Sequence, residues 1–386
     1  MRVESGQEGF SRRNFLKGAF AIGAAGSLAG DASQDQGDMQ ALVSFSTWDP
    51  QETFAYTLTP DGELGEKVWD NPVGSFQVDE ASSVSPDGKT LYTISSRDGF
   101  VYALDVKDGS LKWKHKIDNP TKMKTIINSP VLEVSNVVYA ATWVDGTLEA
   151  INVADGTLKW KLQTEGGSHT SPAELDKMIY FGTTEGTVRG IDTEKINPEN
   201  PKEKWKNGEI NGQVVGPLTA TEDGVYGIAA QVFALNPISG KDKWKKPVKQ
   251  TGFGVTLDEA GKFLYFCVGP EIYKVKVDDG SPVSPFPIQI NVQHPNQSLS
   301  QPAVVGGVLY FASVDEYMRA YDAKNGALIW EKKGTGFKGA KPVVLPKTVL
   351  TGGSYGLETY DRATGEIIQT LSPNRGSTAP VVIYQR

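Results

Sequence analysis

Few side chains in this sequence have the type and spacing that catalysis or metal binding requires. The three histidines, His115, His169 and His294, lie far apart along the chain, and no two stand at the spacing of metal ligands. The single cysteine, Cys267, excludes an intrachain disulfide and any site built from several thiolates. The turn at Asp279 lacks the alternating oxygen ligands of a calcium loop. The sequence therefore predicts no metal site and no catalytic residue.

Cys267 and His115 both stand in strand-like segments, which favours structural roles for them. Cys267 lies in an apolar run, residues 263–268, and a free cysteine in such a run is usually buried. His115 follows a tryptophan in the segment Lys112–Lys116, where lysines alternate with other residues. We therefore expect a buried thiol at Cys267 and a solvent-exposed imidazole at His115.

The N-terminus has the composition of an export signal. Arg12 and Arg13 precede a Phe-Leu pair, and a weakly apolar stretch of residues 18–28 follows. This order resembles a twin-arginine signal, and the apolar stretch is shorter than the roughly 20 residues that span a bilayer. We interpret residues 1–32 as a signal peptide and residues 33–40 as a linker. The resemblance implies export in the folded state to the periplasm, the medium or the cell surface, with a soluble protein after cleavage.

An internal repeat organises the rest of the chain. Residues 101–113 read Val-Tyr-Ala-Leu-Asp, then Asp-Gly, then Leu-Lys-Trp, and residues 148–160 repeat the pattern. Weaker copies give a period of about 39 to 47 residues, which is the range of propeller blades. Each copy is an apolar strand, a turn closed by glycine and a strand that carries tryptophan, which predicts a hairpin.

Two further strand candidates precede each hairpin, so that every period holds the four strands of a propeller blade. The last first-strand candidate, residues 379–383, has no hairpin after it, whereas the segment from Leu42 to Asp70 has three strands without a first one. One blade is therefore predicted to be shared between the two termini, which removes exposed sheet edges. We expect an all-β, eight-bladed β-propeller of four-stranded antiparallel blades over residues 41–386.

The repeated pattern resembles the PQQ-like repeat family, and the resemblance covers residues 41–386. It implies that the tryptophan of each blade docks against the neighbouring blade and is structural. The tryptophans at this position are Trp69, Trp113, Trp160, Trp205, Trp244 and Trp330. Ser284 and Gln369 depart from the pattern, so we expect looser docking at the sixth and eighth copies.

The family contains quinoprotein dehydrogenases, which bind pyrroloquinoline quinone (PQQ) with calcium, and binding scaffolds such as BamB-type components of outer-membrane assembly. The dehydrogenases hold the quinone against a disulfide of adjacent cysteines, and one cysteine cannot supply this or a haem-attachment motif. The resemblance thus implies a non-catalytic scaffold without a cofactor. A PQQ-dependent or other redox enzyme and a BamB-like envelope assembly component are the two alternatives.

Propeller sites usually lie where the loops from second to third strands, and from each blade to the next, converge. The binding candidates in those loops are Trp48, Arg97, Trp143, His169, Gln213, His294, Tyr355 and Arg375. Trp48 and Trp143 stand out because exposed aromatic side chains often bind partners. The net charge of −7 disfavours nucleic acid. We expect a monomer that binds an envelope or extracellular protein, a peptide or a glycan.

Overall fold

The chain forms a ring of eight antiparallel sheets in the computed structural model. The structure describes residues 21–22, 40–48, 51–59, 61–73, 82–95, 99–118, 130–143, 146–168, 170–250, 252–292, 299–335, 341–371 and 380–385. Within these residues every regular element is a β-strand. The predicted eight-bladed propeller is confirmed.

We number the blades 1 to 8 along the chain and the strands of each blade from the axis outward. The first four blades are blade 1 (Val381–Gln385, Gln40–Trp48, Gln51–Leu58, Leu64–Asn71), blade 2 (Ser82–Val84, Thr90–Ser95, Phe100–Asp105, Leu111–Lys116), blade 3 (Leu132–Val134, Val137–Ala141, Thr147–Asn152, Leu158–Gln163) and blade 4 (Ala173–Leu175, Met178–Gly182, Val188–Asp192, Trp205–Asn207).

The second half of the ring repeats the arrangement. It consists of blade 5 (Thr219–Thr221, Gly224–Ile228, Gln231–Leu235, Asp242–Pro247), blade 6 (Thr256–Leu257, Phe263–Val268, Glu271–Lys276, Ile288–Gln289), blade 7 (Ala303–Val305, Val308–Ala312, Tyr317–Asp322, Leu328–Lys333) and blade 8 (Val343–Val344, Thr348–Gly353, Gly356–Asp361, Ile367–Leu371). First strands of neighbouring blades contact each other, for example in blades 4 and 5, which places them at the axis.

Blade 1 closes the ring because its first strand comes from the C-terminus. Val381–Gln385 pairs antiparallel with Gln40–Trp48, as the shared blade requires. A two-residue strand, Ala21–Ile22, pairs with Ile383 and Val382 on the inner edge of the same sheet. The sheet of blade 1 therefore contains four regular strands and this short additional strand, and it holds the two ends of the chain together.

The second strands lie between two neighbouring blades, and their side chains are buried on both faces. All five residues of Val137–Ala141 and of Met178–Gly182 are buried. Tyrosines repeat on these strands and pack beside the tryptophan of their own blade, with ring centroids 5.9 Å apart for Tyr92 and Trp113 and 5.7 Å apart for Tyr180 and Trp205. The core is thus a set of apolar layers between blades rather than one central core.

Candidate functional site

Two sets of loops emerge on one side of the ring, which we call the funnel face. They are the loops between second and third strands and the loops from each fourth strand to the next blade. In the described part of the chain, three aromatic side chains are exposed: Trp143 (38% exposed), Phe253 (46%) and Tyr355 (57%). All three belong to funnel-face loops. The remaining exposed large apolar side chains are aliphatic and lie on fourth strands or, for Ile238, on the opposite face.

Trp143 is held by a tightly packed backbone. It follows the second strand of blade 3, where the Ser168 amide donates to the carbonyl oxygen of Thr142 at 2.8 Å and the Thr147 amide donates to the hydroxyl of Thr142 at 2.8 Å. A Cβ atom on Gly167 would lie only 1.2 Å from the carbonyl oxygen of Trp143. A glycine at 167 therefore permits the close approach that presents the indole.

Phe253 is presented between two glycines in the loop from blade 5 to blade 6. A Cβ atom on Gly252 would lie 2.4 Å from the carbonyl oxygen of Cys267, so this side of the loop packs directly on blade 6. Gly254 has φ of 107°, a conformation that other residues rarely adopt. These constraints turn the aromatic ring outward. The sequence interpretation missed Phe253, although the Gly-Phe-Gly run was a signal that could have found it.

Tyr355 lies at the tip of a hairpin in blade 8. Gly353 pairs with Gly356, so that Ser354 and Tyr355 form a two-residue turn between the second and third strands. A side chain at the tip of so short a hairpin cannot fold back onto its own sheet, and the phenol projects from the funnel face. Tyr355 was among the predicted binding residues, and its placement on this face follows from the strand order.

The three aromatic side chains are spread around the ring. Trp143 belongs to blade 3, Phe253 to the connection between blades 5 and 6, and Tyr355 to blade 8. Two to three blades separate each from the next, so they do not converge on one pocket. The face offers separated apolar anchors to a ligand that is large enough to cover much of the ring.

Two carboxylates near this face, Glu271 and Asp315, are paired within the protein. Glu271 accepts hydrogen bonds from the ammonium of Lys249 at 3.0 Å and from the hydroxyl of Tyr273 at 2.7 Å. Burial raises the pKa of Glu271, but these two hydrogen bonds and the Lys249 charge outweigh it and lower the pKa. Asp315 forms a buried ion pair with Arg319, with 2.6 Å between Oδ2 and Nη2. Both carboxylates are therefore structural partners rather than free bases.

The other predicted binding residues fall into two groups. Gln213 is exposed in the loop from blade 4 to blade 5. Trp48 ends the second strand of blade 1, where its backbone pairs with Gln51. Arg97, His169, His294 and Arg375, and the export residues Arg12 and Arg13, lie outside the described residues.

Five of the six repeat tryptophans donate an indole hydrogen bond to the next blade. The acceptors are carbonyl oxygens at the end of the third strand: Trp69 to Val106 (2.8 Å), Trp113 to Val153 (2.7 Å), Trp205 to Pro237 (3.0 Å), Trp244 to Val277 (2.7 Å) and Trp330 to Arg362 (3.0 Å). Trp160 is buried in the apolar cluster between blades 3 and 4. These contacts hold the tryptophans between neighbouring blades, which is a structural role.

The blades without a tryptophan use different contacts. In blade 6, Ile288 packs against Gly326 of blade 7, at the place where tryptophan packs against glycine elsewhere in the ring. In blade 8, Gln369 replaces tryptophan, and Leu345 and Thr348 lie against Gly62 of blade 1 instead. The Thr348 hydroxyl also donates to the carbonyl oxygen of Gly62 at 2.8 Å.

The solvent-exposed imidazole expected at His115 is wrong. Its side chain is only 11% exposed and bridges blades 2 and 3 through Glu149 and Gly156. Glu149 stands on the third strand of blade 3, and His115 stands on the fourth strand of blade 2. The hydrogen bond between them holds the imidazole between the two blades, away from solvent. Cys267 is 3% exposed, and burial raises the pKa of its thiol well above the ordinary value.

Two features of the described residues bear on the alternative of a quinone cofactor with calcium. Within that part of the chain, no cluster of three or more His, Cys, Asp or Glu side chains could hold a metal ion. The sequence contains one cysteine, and Cys267 is buried in a second strand of blade 6. No helix in the described part is long and apolar enough to cross a membrane.

Comparisons with known proteins agree with this architecture. BamB from Moraxella catarrhalis is similar in fold, with a TM-score of 0.60 and 14% identity over 89% of this chain and 96% of that one. A europium-containing methanol dehydrogenase (TM-score 0.61, 14% identity, 78% and 79% covered) and the computationally designed Ika8 protein (TM-score 0.64, 12% identity, 79% and 95% covered) share the fold as well.

No curated protein matches the sequence. The family model described as outer membrane protein assembly factor BamB matches residues 60–230 and 195–381, which together span most of the chain. The resemblance of the repeated motif to the PQQ-like repeat is confirmed by this match. The chain belongs to the BamB-type family of PQQ-like repeat β-propellers.

Proposed function

We propose that this protein is an exported, non-catalytic scaffold whose funnel face binds a protein partner in the cell envelope. The main observation behind the proposal is that the exposed aromatic side chains of the described part all lie on one face of the ring. Trp143, Phe253 and Tyr355 are the exposed aromatics of the described part, and all three are on the funnel face. Tryptophan and tyrosine supply much of the binding energy in protein interfaces.

The spacing of these residues favours a protein over a small ligand. A small ligand needs convergent side chains in one concave pocket. The three aromatics are separated by two or three blades, which suits a partner that buries about 800 Å² of this face, the usual share of one protein in a stable complex. A glycan or a short extended peptide would contact one or two of them at most.

The family supports a place in the envelope. Its description names an assembly factor of the outer membrane, and one protein of similar fold is a BamB. The twin-arginine resemblance at Arg12 and Arg13 supports export in the folded state. A BamB-like assembly role is therefore our more specific proposal, with the periplasm or cell surface as its location.

Site-specific photo-crosslinking in the native envelope tests the proposal. A photoreactive residue would be placed at 143, 253 or 355, and at Leu158 on the rim of blade 3 as a control of similar exposure, 47%. We expect one shared crosslinked protein from the three funnel positions and none from the control. Trp143→Ala combined with Tyr355→Ala should abolish the crosslink from position 253. Equal crosslinking from all positions, or none from the funnel face, would refute the proposal.

The alternative of a PQQ-dependent enzyme has its own measurement. The purified protein would be mixed with PQQ and calcium and followed by absorption spectroscopy and native mass spectrometry. We expect no bound chromophore and no stoichiometric mass increase. A one-to-one mass increase with a quinone absorption band would overturn the non-catalytic proposal.

A further inference from the structure

One position of the repeat differs between two groups of consecutive blades on the rim of the propeller. It is the residue immediately before the docking position on the fourth strand. In blades 2 to 5 this residue is always lysine: Lys112, Lys159, Lys204 and Lys243. In the consecutive blades 7, 8 and 1 it is Ile329, Ile368 and Val68, exposed by 48%, 44% and 40%. We call these three residues the rim patch.

Three of the four lysines make polar contacts with their own blades. The ammonium of Lys112 donates to the carbonyl oxygen of Lys89 at 2.9 Å, and that of Lys243 donates to the carbonyl oxygen of Asp223 at 2.6 Å. Lys204 pairs with Asp192 at 3.5 Å. These lysines end in a charged group, and their methylene stems can lie along the sheet. The β-branched side chains of the rim patch have no polar end, so their exposure leaves apolar surface in contact with water.

The rim patch is unsuited to a partner that would bind by adding a β-strand to the edge of the sheet. Ile329, Ile368 and Val68 each stand at a register shift between the third and fourth strands of their blades. Such a bulge bends the edge and interrupts the ladder that another strand would have to continue. Any partner at this place must therefore make contact mainly through side chains.

Ion pairs lie at both borders of blade 8. Lys332 pairs with Glu366 at 2.6 Å, joining blades 7 and 8, and Lys347 pairs with Asp61 at 2.9 Å, joining blades 8 and 1. The central fourth strand, Ile367–Leu371, contains no charged residue. Apolar side chains with paired charges at their border resemble the centre and border of a protein interface.

We propose that the rim patch binds a second copy of this chain in a twofold dimer centred on Ile368. A twofold contact sets the same surface of each copy against itself, so it requires a surface that tolerates its own charges. Blade 8 lies in the middle of the patch, and its uncharged strand meets this requirement. The lysine-bearing fourth strands of blades 2 to 5 would repel their own copies.

The dimer is independent of the proposed binding function. The rim patch lies on fourth strands, and the funnel face of each copy stays open. The proposal differs from the monomer expected from the sequence, which stays a prediction, and it rests on the position-specific exchange of lysine for aliphatic residues.

The test combines mass measurement and crosslinking of the full chain. Light scattering coupled to gel filtration is expected to give twice the chain mass, and Ile329→Lys with Ile368→Lys is expected to raise the dimer dissociation constant about tenfold or more. Lysine is the residue of four other blades at this position, so this variant should fold normally, which its circular dichroism would check. Leu158→Lys, an equally exposed aliphatic on blade 3, should leave the dimer unchanged.

A crosslink places the twofold axis. Ile368→Cys is expected to form an intermolecular disulfide under mild oxidation, whereas Leu158→Cys is not. Cys267 is buried and does not interfere. A monomer at all concentrations would overturn the proposal, as would a dimer that survives the double lysine variant.

Discussion

His115 and Glu149 join blades 2 and 3 through a contact that fixes the charge of the histidine. Nε2 of His115 lies 2.8 Å from Oε2 of Glu149, and Nδ1 lies 2.8 Å from the carbonyl oxygen of Gly156. Because both neighbours are acceptors, both ring nitrogens must carry a proton for the two bonds to form. Burial lowers the pKa of His115, but the bonds to Glu149 and Gly156 and the Glu149 charge outweigh burial and raise it.

This contact predicts that stability falls as the pH rises above the unfolded histidine pKa of about 6.5. The folded-state pKa of His115 lies above its unfolded value of about 6.5, so the stabilisation is complete below that pH and is lost as the pH rises through the folded pKa. Thermal melting between pH 5.5 and 8.5 should show a decline that His115→Gln largely removes. Parallel melting curves for the two proteins would contradict the prediction.

Glu358 in blade 8 supplies the matched control. Like Glu149, it stands on a third strand and accepts a backbone amide from the preceding blade, that of Thr335 at 2.6 Å. Its other carboxylate oxygen is bonded by the hydroxyl of Tyr360 rather than by an imidazole. Glu358→Gln should therefore lower the melting temperature, and the pH dependence that His115 supplies should remain.

The blade count and ring closure could be predicted because they follow from local signals that repeat. A glycine turn four residues before Trp113 or Trp160 marks a hairpin wherever it occurs, and strand order then fixes which loops share a face. The His115 contact could not be predicted in this way. The contact depends on which side chain of the next blade lies opposite His115, and this is Glu149. The sequence around either residue does not indicate that the two side chains meet.

The candidate site was predictable only in part. Trp143 and Tyr355 could be assigned to the funnel face from strand order alone. Their exposure could not, because it depends on packing between loops, such as the approach of Gly167 to the Trp143 backbone. Phe253 was missed although it stands in a loop of the same kind as that of Gln213, because its exposure depends on the packing of Gly252 against blade 6. The second-strand tyrosines such as Tyr180 were missed because an apolar strand does not indicate which neighbour each residue contacts.

The docking of tryptophan against glycine predicts that substitutions at the contacts between blades strongly lower the free energy of unfolding. A Cβ atom on Gly156 would lie 2.8 Å from the Trp113 ring, and Gly156 has φ of 73°. We expect Trp113→Ala to lower the free energy of unfolding by about 3 to 5 kcal/mol and Gly156→Ala by about 1 to 3 kcal/mol. Gln369→Ala, at the same position in blade 8, should cost less than about 0.5 kcal/mol. Urea unfolding measures all three, and equal costs at 113 and 369 would contradict the docking role.

Glu316 offers a stabilising substitution. It has φ of 74°, whereas the corresponding loop positions of blades 2, 3 and 4 are Gly99, Gly146 and Gly186. Left-handed backbone costs a non-glycine residue about 1 kcal/mol. The exposed pair of Glu316 with Lys333, 3.4 Å apart, contributes less. Glu316→Gly should raise the free energy of unfolding by about 0.5 to 1 kcal/mol in urea titrations. Glu316→Gln, which keeps the backbone strain, should not, and an equal gain from both variants would point to charge instead.

The buried pair of Asp315 and Arg319 predicts strong coupling. Arg319 donates to Asp315 through two nitrogens, at 2.6 and 3.0 Å, and both side chains are almost fully buried. Arg319→Ala leaves a buried carboxylate without its cation and should lower the free energy of unfolding by about 3 to 5 kcal/mol. Asp315→Ala combined with Arg319→Met removes both charges and should recover part of that loss.

The dependence of stability on pH and on salt distinguishes this buried ion pair from a surface ion pair. Burial raises the pKa of Asp315, but hydrogen bonds from Arg319 and Ser313 outweigh it and lower the pKa. The stabilisation is therefore present above the unfolded pKa of about 3.9 and is lost as the pH falls through the lower folded value. Unfolding in urea at low and high sodium chloride should give the same coupling energy, because buried charges are weakly screened. A coupling that disappears in high salt would show that water reaches the pair.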